Sequence, residues 1–350
     1  MTQIRRQSLV SFGAPLCETV SDAPAPQGTE VLVRITRCGV CHSDLHIQDG
    51  FFQLAGDKKL DITSGRTLPM SLGHEIAGVV DAAGPEAAVT VGEKVAVYPW
   101  IGCGTCPACR HGEENLCAAS RHLGVNVDGG YSTHVLVPHP RYLIDYAPLR
   151  ASVAGMLMCS GLTAYAALKR LSGRAARGPA LLVGMGGVGM MGLALARTMF
   201  PHAPIVADID PAKREAALQA GAAAAYDPAD PGARKAVMTA TGGIYAACDF
   251  AGSEGSLAFA TGVLAKGGKV VVTGLIGGGL SIGTAMFPLK AMTIEGAMTG
   301  TLDEARELMA LAIGGNIPPI PFRERPLADA QAALEELRAG RVIGRTVLVG

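Results

Sequence analysis

The sequence has no excess charge, no uninterrupted apolar stretch long enough to cross a bilayer and no internal repeat of solenoid period. Thirty basic residues balance thirty acidic ones, so nothing electrostatic favours nucleic acid or an anionic membrane as partner. Runs of like charge stop at pairs such as Arg5-Arg6 and Glu113-Glu114, which read as solvated surface. The longest apolar run, Ala180 through Met190, is broken by four glycines, whereas a membrane span needs roughly 20 mostly apolar residues. The opening MTQIRRQSLV has neither an apolar core nor a small-residue cleavage site, so no signal peptide is expected and the setting expected is cytoplasmic. Nine cysteines, an odd number, argue against a secreted disulfide framework and for metal ligation.

What is present divides into two textures. Early segments alternate apolar and polar residues over short stretches: Glu30 to Thr36, Ile76 to Val80 and Lys94 to Val97. Turn residues separate them, which predicts a β-rich, barrel-like unit. After about Pro148, strand and helix patterns alternate. Strands are expected at Ala180–Val183, Pro204–Ala207, Tyr245–Phe250, Lys269–Thr273 and Met292–Glu295. Helices are expected at Met156–Leu171, Val188–Met199, Pro211–Ala220 and Gly255–Leu264. Continuous apolar strands alternating with helices predict a doubly wound parallel sheet. Two more helices, Leu302–Ile313 and Ala328–Ala339, precede a final strand, Arg345–Val349, placed to return to the first unit. At 350 residues the chain is long enough for two full cores.

Gly184-Met185-Gly186-Gly187-Val188-Gly189 is a G-x-G-x-x-G between a strand and a helix. In that context Gly184 permits the tight turn, Gly186 lets backbone amides approach a pyrophosphate, and Gly189 lets helix and strand pack closely. Asp208 ends the next strand, where a carboxylate accepts ribose hydroxyls and repels a 2′-phosphate. With Ile209 following it, NAD is favoured over NADP. Asp210 competes for the same role but stands before Pro211, where it would cap a helix.

Cys103, Cys106, Cys109 and Cys117 lie within one loop and can converge on one tetrahedral metal with no open position, a structural Zn²⁺. Iron–sulfur ligation is the rival. Pro107 and the polar RHGEEN stretch, without a second cysteine set, favour zinc. A second, dispersed set is Cys41, His74 and Cys159, a Cys₂His combination suited to a catalytic zinc that keeps one position open. By spacing alone each of the three could equally be a packed core residue.

GVCHSDLH from Gly39, LGHEIAG from Leu72, CGTCPACRHGEENLC from Cys103, CSGLTAY from Cys159 and GMGGVG from Gly184 resemble, in order and along essentially the whole chain, the zinc-containing medium-chain alcohol dehydrogenases, most closely the NAD-dependent bacterial and archaeal members. The resemblance implies a GroES-like catalytic domain over 1–153 with its zinc lobe at 99–118, a Rossmann domain over 154–297, and a segment 298–350 returning to the first. It implies two Zn²⁺ per chain, a catalytic ion on Cys41, His74 and Cys159 and a structural ion on the four-cysteine lobe. Glu75 corresponds to the carboxylate beside the zinc and Asp44 to the acid that orients His74. Ser43 and His46 correspond to a proton relay. His42, Lys213 and Arg345 correspond to cofactor contacts, together with Gly184, Gly186, Gly187, Val188, Gly189 and Asp208. Trp100, the only tryptophan, is expected on the substrate pocket or in the core. The implied partners are a small alcohol or carbonyl compound and further copies of the chain, a tetramer before a dimer. A polyol dehydrogenase would replace Cys159 by Glu, a zinc-free reductase would lack both cysteine sets, and a binding module would need neither relay nor ligands. Phe51 to Leu68 is longer than in many members and is expected near the cleft mouth. Cys17, Cys38 and Cys248 are expected in packing roles.

Overall fold

The computed structural model describes residues 2–350. One sheet of seven strands has Val31–Gly39 at its centre, paired antiparallel with Glu75–Ala83 on one side. On the other side it meets His134–Val137 at one end and Arg345–Val349 at the other. The last strand thus returns to the first half of the chain, as expected from the sequence. Smaller pieces flank this sheet. Gln3–Leu9 pairs with Cys17–Asp22, and the hairpin Phe51–Gln53/Lys59–Asp61 occupies the segment whose role the sequence left open.

The second sheet has six strands, all parallel, in the order Ala224–Tyr226, Ile205–Ala207, Leu181–Val183, Ile244–Asp249, Leu264–Val272, Thr293–Gly296. The order reverses direction beside Leu181–Val183, and ligands bind at the carboxyl ends of strands at such a switch point. Side chains alternate across it: Leu181 and Val183 join one buried cluster, Leu182, Val206 and Cys248 the other. Both faces are covered, which is why these strands read as unbroken apolar runs.

Helical segments join the two halves. Ala151–Met156 packs on the Val31 and Glu75 strands, and its continuation Leu162–Lys169 packs on Gly187–Met199 and Leu302–Ile313. The stretch Ala151–Lys169 is long and apolar enough to pass for a membrane span, but most of it is buried inside the fold. The sequence placed this helix at Met156–Leu171; it starts earlier and contains a π-helical turn, Leu157–Gly161. Two expectations fail. Glu114, read as solvated, is buried, and Cys17, read as packed, is exposed.

Candidate active site

The Val31 strand delivers Cys41 to the N-cap of the helix His42–Asp49, where Asp44 Oδ2 accepts the Cys41 backbone N–H at 2.9 Å. His74 sits at the head of the Glu75 strand. Gly73 before it has φ of 88°, and a Cβ there would strike the Tyr131 ring, so only glycine serves. Cys159 lies in the π-helical turn. These three residues, distant in sequence, are all buried, and their ligand atoms lie within 4.8 Å of one another, with Cys41 Sγ and Cys159 Sγ 3.9 Å apart.

The donor set fits a metal. His74 is fully buried, yet neither ring nitrogen makes a hydrogen bond. Nδ1 lies 3.3 Å from Asp44 Oδ1, leaving Nε2 for the two sulfurs. A buried imidazole whose Nε2 has no partner beside two thiols is costly, and a zinc taking two sulfurs and one nitrogen removes that cost. The Cys159 thiol beside Cys41 holds the Cys41 thiol well below its usual pKa, the thiolate form that metals require.

Around these atoms the packing is equally specific. Asp44 also accepts the Tyr131 hydroxyl at 2.7 Å and the Gly73 amide at 3.3 Å, so three elements fix its carboxylate. Glu75, fully buried, pairs with Arg345, and its Oε1 accepts the Ser160 amide at 3.1 Å. Removing either partner would strand a buried charge, a loss of about 3–5 kcal/mol. Glu75 Oε2 has no partner. Ser43 lines the cleft with its Oγ 3.8 Å from Cys41 Sγ. The half-buried His46 lies tilted against Phe52, ring centroids 4.9 Å apart, and its Nε2 has no partner. Burial, followed by neighbouring His42, lowers its pKa and keeps the imidazole neutral.

The glycine loop faces the same space. Gly184 has φ of 86°, a Cβ on Gly189 would collide with the Gly184 carbonyl, and nothing approaches the Cβ position of Gly186. The helix Gly187–Met199 begins there with no side-chain cap, leaving its first amides free for an anion. Asp208 has both oxygens engaged, Oδ2 by the Met185 amide at 2.6 Å and Oδ1 by the Asp210 amide at 2.8 Å, which ties the loop to the second strand. Asp210 caps the next helix through the Ala212 amide at 2.9 Å. Arg345 lies against Gly187, between the loop and Glu75. A cleft of about 840 Å³ is lined by Cys41, His42, Ser43, His46, Trp100, Cys159, the glycine loop with Val188, Asp208, Lys213 and Arg345. Asp44, His74 and Glu75 are fully buried behind that wall.

In a second cluster, the four thiols of Cys103, Cys106, Cys109 and Cys117 also lie within 4.8 Å of one another, with Cys117 bordering the cleft. The lobe is held from below by Glu114, which accepts the Gly102 amide at 3.0 Å, the Tyr142 hydroxyl at 2.6 Å and Arg141 at 2.7 Å.

Residues 27–147 match the family described as the alcohol dehydrogenase GroES-like domain, and residues 187–313 the zinc-binding dehydrogenase family. An NAD-dependent alcohol dehydrogenase of Sulfurisphaera tokodaii is 36% identical over 99% of this chain and 100% of its own. The chain belongs to the zinc-containing medium-chain alcohol dehydrogenase family. Two solved alcohol dehydrogenases share its fold. That of Aeropyrum pernix has a TM-score of 0.88 at 30% identity, covering 99% of this chain and 100% of that one. A cobalt- and zinc-bound enzyme of Pyrobaculum aerophilum has a TM-score of 0.85 at 25% identity, covering 100% of both chains.

Several cleft residues of this family member escaped the sequence reading. Phe52 and Arg66 come from the Phe51–Leu68 segment, His122 from the loop after the cysteine lobe, and Met298 and Thr299 from the loop before Leu302–Ile313. None carries a local motif. Asp249 had a faint signal at the end of its strand; it accepts the Ala251 and Gly252 amides at 3.0 and 2.9 Å and shapes the far wall.

Proposed function

We propose that this protein is a zinc-dependent, NAD(H)-using alcohol dehydrogenase that moves a hydride reversibly between a primary or secondary alcohol and the cofactor. The observation that carries this reading is the buried Cys41–His74–Cys159 set, whose two cysteines line the same cleft as the glycine loop. When bound, zinc supplies Lewis acidity toward the alcohol oxygen and the nicotinamide supplies the hydride acceptor.

The chain's own residues do the rest. Cys41, His74 and Cys159 hold the metal, and Asp44 fixes the His74 ring through Nδ1. Ser43 Oγ stands beside Cys41 at the inner end of the proton path. His46, one helical turn further, receives the proton at Nε2, a role suited to an imidazole kept neutral by burial. Gly184 to Gly189 and the first amides of their helix cradle the pyrophosphate. Asp208 and Lys213, both lining the cleft, would hold the adenosine ribose, and the Asp208 charge would disfavour a 2′-phosphate. Arg345 and His42 complete the cofactor side. Trp100 forms the substrate wall and excludes water from the reacting atoms. Cys103, Cys106, Cys109 and Cys117 hold a structural zinc. In this reading 1–153 with 298–350 serves the metal and substrate, and 154–297 serves the cofactor. Reducing, cytoplasmic conditions keep the thiols available.

The purified protein should contain about two zincs per chain and form NADH from simple alcohols. One zinc with no NADH from a broad alcohol panel refutes the reading. A homo-oligomer is also proposed. The strand Thr293–Gly296 ends its sheet with a free edge, and Phe287 and Leu289 of the short helix just before it in the chain are exposed. A second copy laid along that edge would cover both, and two such pairs would make the tetramer. Light scattering at the mass of a single chain would reject it.

A further inference from the structure

We propose that the alcohol this protein oxidises carries a second hydroxyl group, bound by His122 and Asn115 on the cleft wall beyond Trp100. The inference rests on the dehydrogenase reading and names its substrate class: short diols and related hydroxy-alcohols.

His122 is 3% exposed and stands edge-on to Trp100, ring centroids 5.3 Å apart; Trp100 in turn lies 5.4 Å from the His74 ring. His122 is therefore one aromatic ring removed from the metal set. Its Nε2 is buried without a partner. Burial lowers its pKa to about 4, so the ring is neutral. A neutral imidazole carries one N–H and one lone pair, so Nε2 is matched in either tautomer by a hydroxyl, which both donates and accepts. Asn115, the next residue along from Glu114, is also 3% exposed. Its Nδ2 donates to the Met298 carbonyl at 2.7 Å, which fixes the amide orientation and leaves Oδ1 as a buried acceptor without a partner.

Both residues line the cleft. The nearby indole cannot satisfy them, because Trp100 Nε1 already donates to the Met158 carbonyl at 3.0 Å. Two unpaired polar atoms in one cleft, one of them the acceptor Asn115 Oδ1, call for a group that can donate and accept, and a hydroxyl does both. A plain alkyl chain would leave both atoms unpaired, and a carboxylate would set its oxygens against Asn115 Oδ1. Arg66, at the cleft edge with its Nε on the Val125 carbonyl, is the one feature that points toward an acid, and the test includes that outcome.

The test compares three alcohols that share CH₃–CH(OH)–CH₂– and differ only in the end group: 2-butanol, 1,3-butanediol and 3-hydroxybutyrate, each with the zinc-loaded protein and NAD⁺. The diol should exceed 2-butanol in kcat/KM by roughly 10–100-fold. In His122→Leu that ratio should collapse toward one. In His122→Gln, which keeps an acceptor, it should be partly retained. Fluorescence of Trp100, the only tryptophan, gives a readout without turnover: diol should shift it in the wild type and not in His122→Leu. Equal or better turnover of 2-butanol, or a preference for 3-hydroxybutyrate, overturns the proposal while leaving the dehydrogenase standing. A diol-dependent fluorescence shift with no hydride transfer from any alcohol does the opposite.

Discussion

The two cysteine-bearing sites of this chain are built in contrasting ways. The four-cysteine lobe is local: all its sulfurs come from one loop, Cys103 is exposed, and backbone amides of the same loop point at the thiols, as in Cys103 N to Cys117 Sγ at 3.3 Å and Cys106 N to Cys103 Sγ at 3.4 Å. The Cys41–His74–Cys159 set is global. Its members come from a helix cap, a strand head and a π-helical turn, all buried, and they meet only when both halves of the chain have folded. A local site is cheap to close and lends its binding energy to folding a loop; a global one lets three elements be set independently around an open coordination position.

That contrast can be broken most directly at Cys159. Cys159→Ala should lower hydride transfer by about a thousandfold or more, with metal content falling from two zincs to one. Retained turnover in the one-zinc protein would mean that the buried set is not the reaction centre. Cys103→Ser should do the reverse, lowering the thermal midpoint by ~5 °C or more while the remaining zinc still supports oxidation. Scanning calorimetry alongside metal analysis reads both, and an unchanged midpoint would remove the lobe from a stabilising role. A gentler probe acts within the buried site alone. His46→Gln should slow alcohol oxidation by about 10-fold near neutral pH and less at alkaline pH, with zinc unchanged. Because burial lowers the His46 pKa, the wild type should lose rate only as pH falls through a value below the usual 6.5, where the ring protonates and stops accepting. The variant should lack that break. Superimposable pH profiles would take His46 out of the proton path.

The same contrast decides what could be read from the sequence. Cys103 to Cys117, the Gly184 loop, the Asp210 cap and the Arg345 strand each rest on neighbours in the chain, and each stands where the pattern put it. The π-helical turn was invisible because its cause is tertiary. The Ser160 amide donates to Glu75 Oε1, and Gly155 packs against the Glu75 backbone, so the helix widens to meet another strand. Glu114 looked like one of two surface acids. Its contacts with Tyr142, Arg141 and the Gly102 amide, all made through the fold, distinguish it from Glu113. His122 and Asn115 have no pattern at all; their meaning lies in which atoms are left without partners once the cleft has formed.

Arg345–Val349 has a consequence for how the protein is made. The ribosome emits the Val31 and Glu75 strands early, but the neighbour that finishes their sheet, and the cation that neutralises Glu75, arrive only after the entire parallel sheet has been synthesised. Until then a nascent chain carries a buried acid with no counter-charge and an unzipped seam beside Gly39. Premature termination a few codons short of Arg345 would therefore yield a polypeptide with every zinc ligand in place and a catalytic half unable to settle.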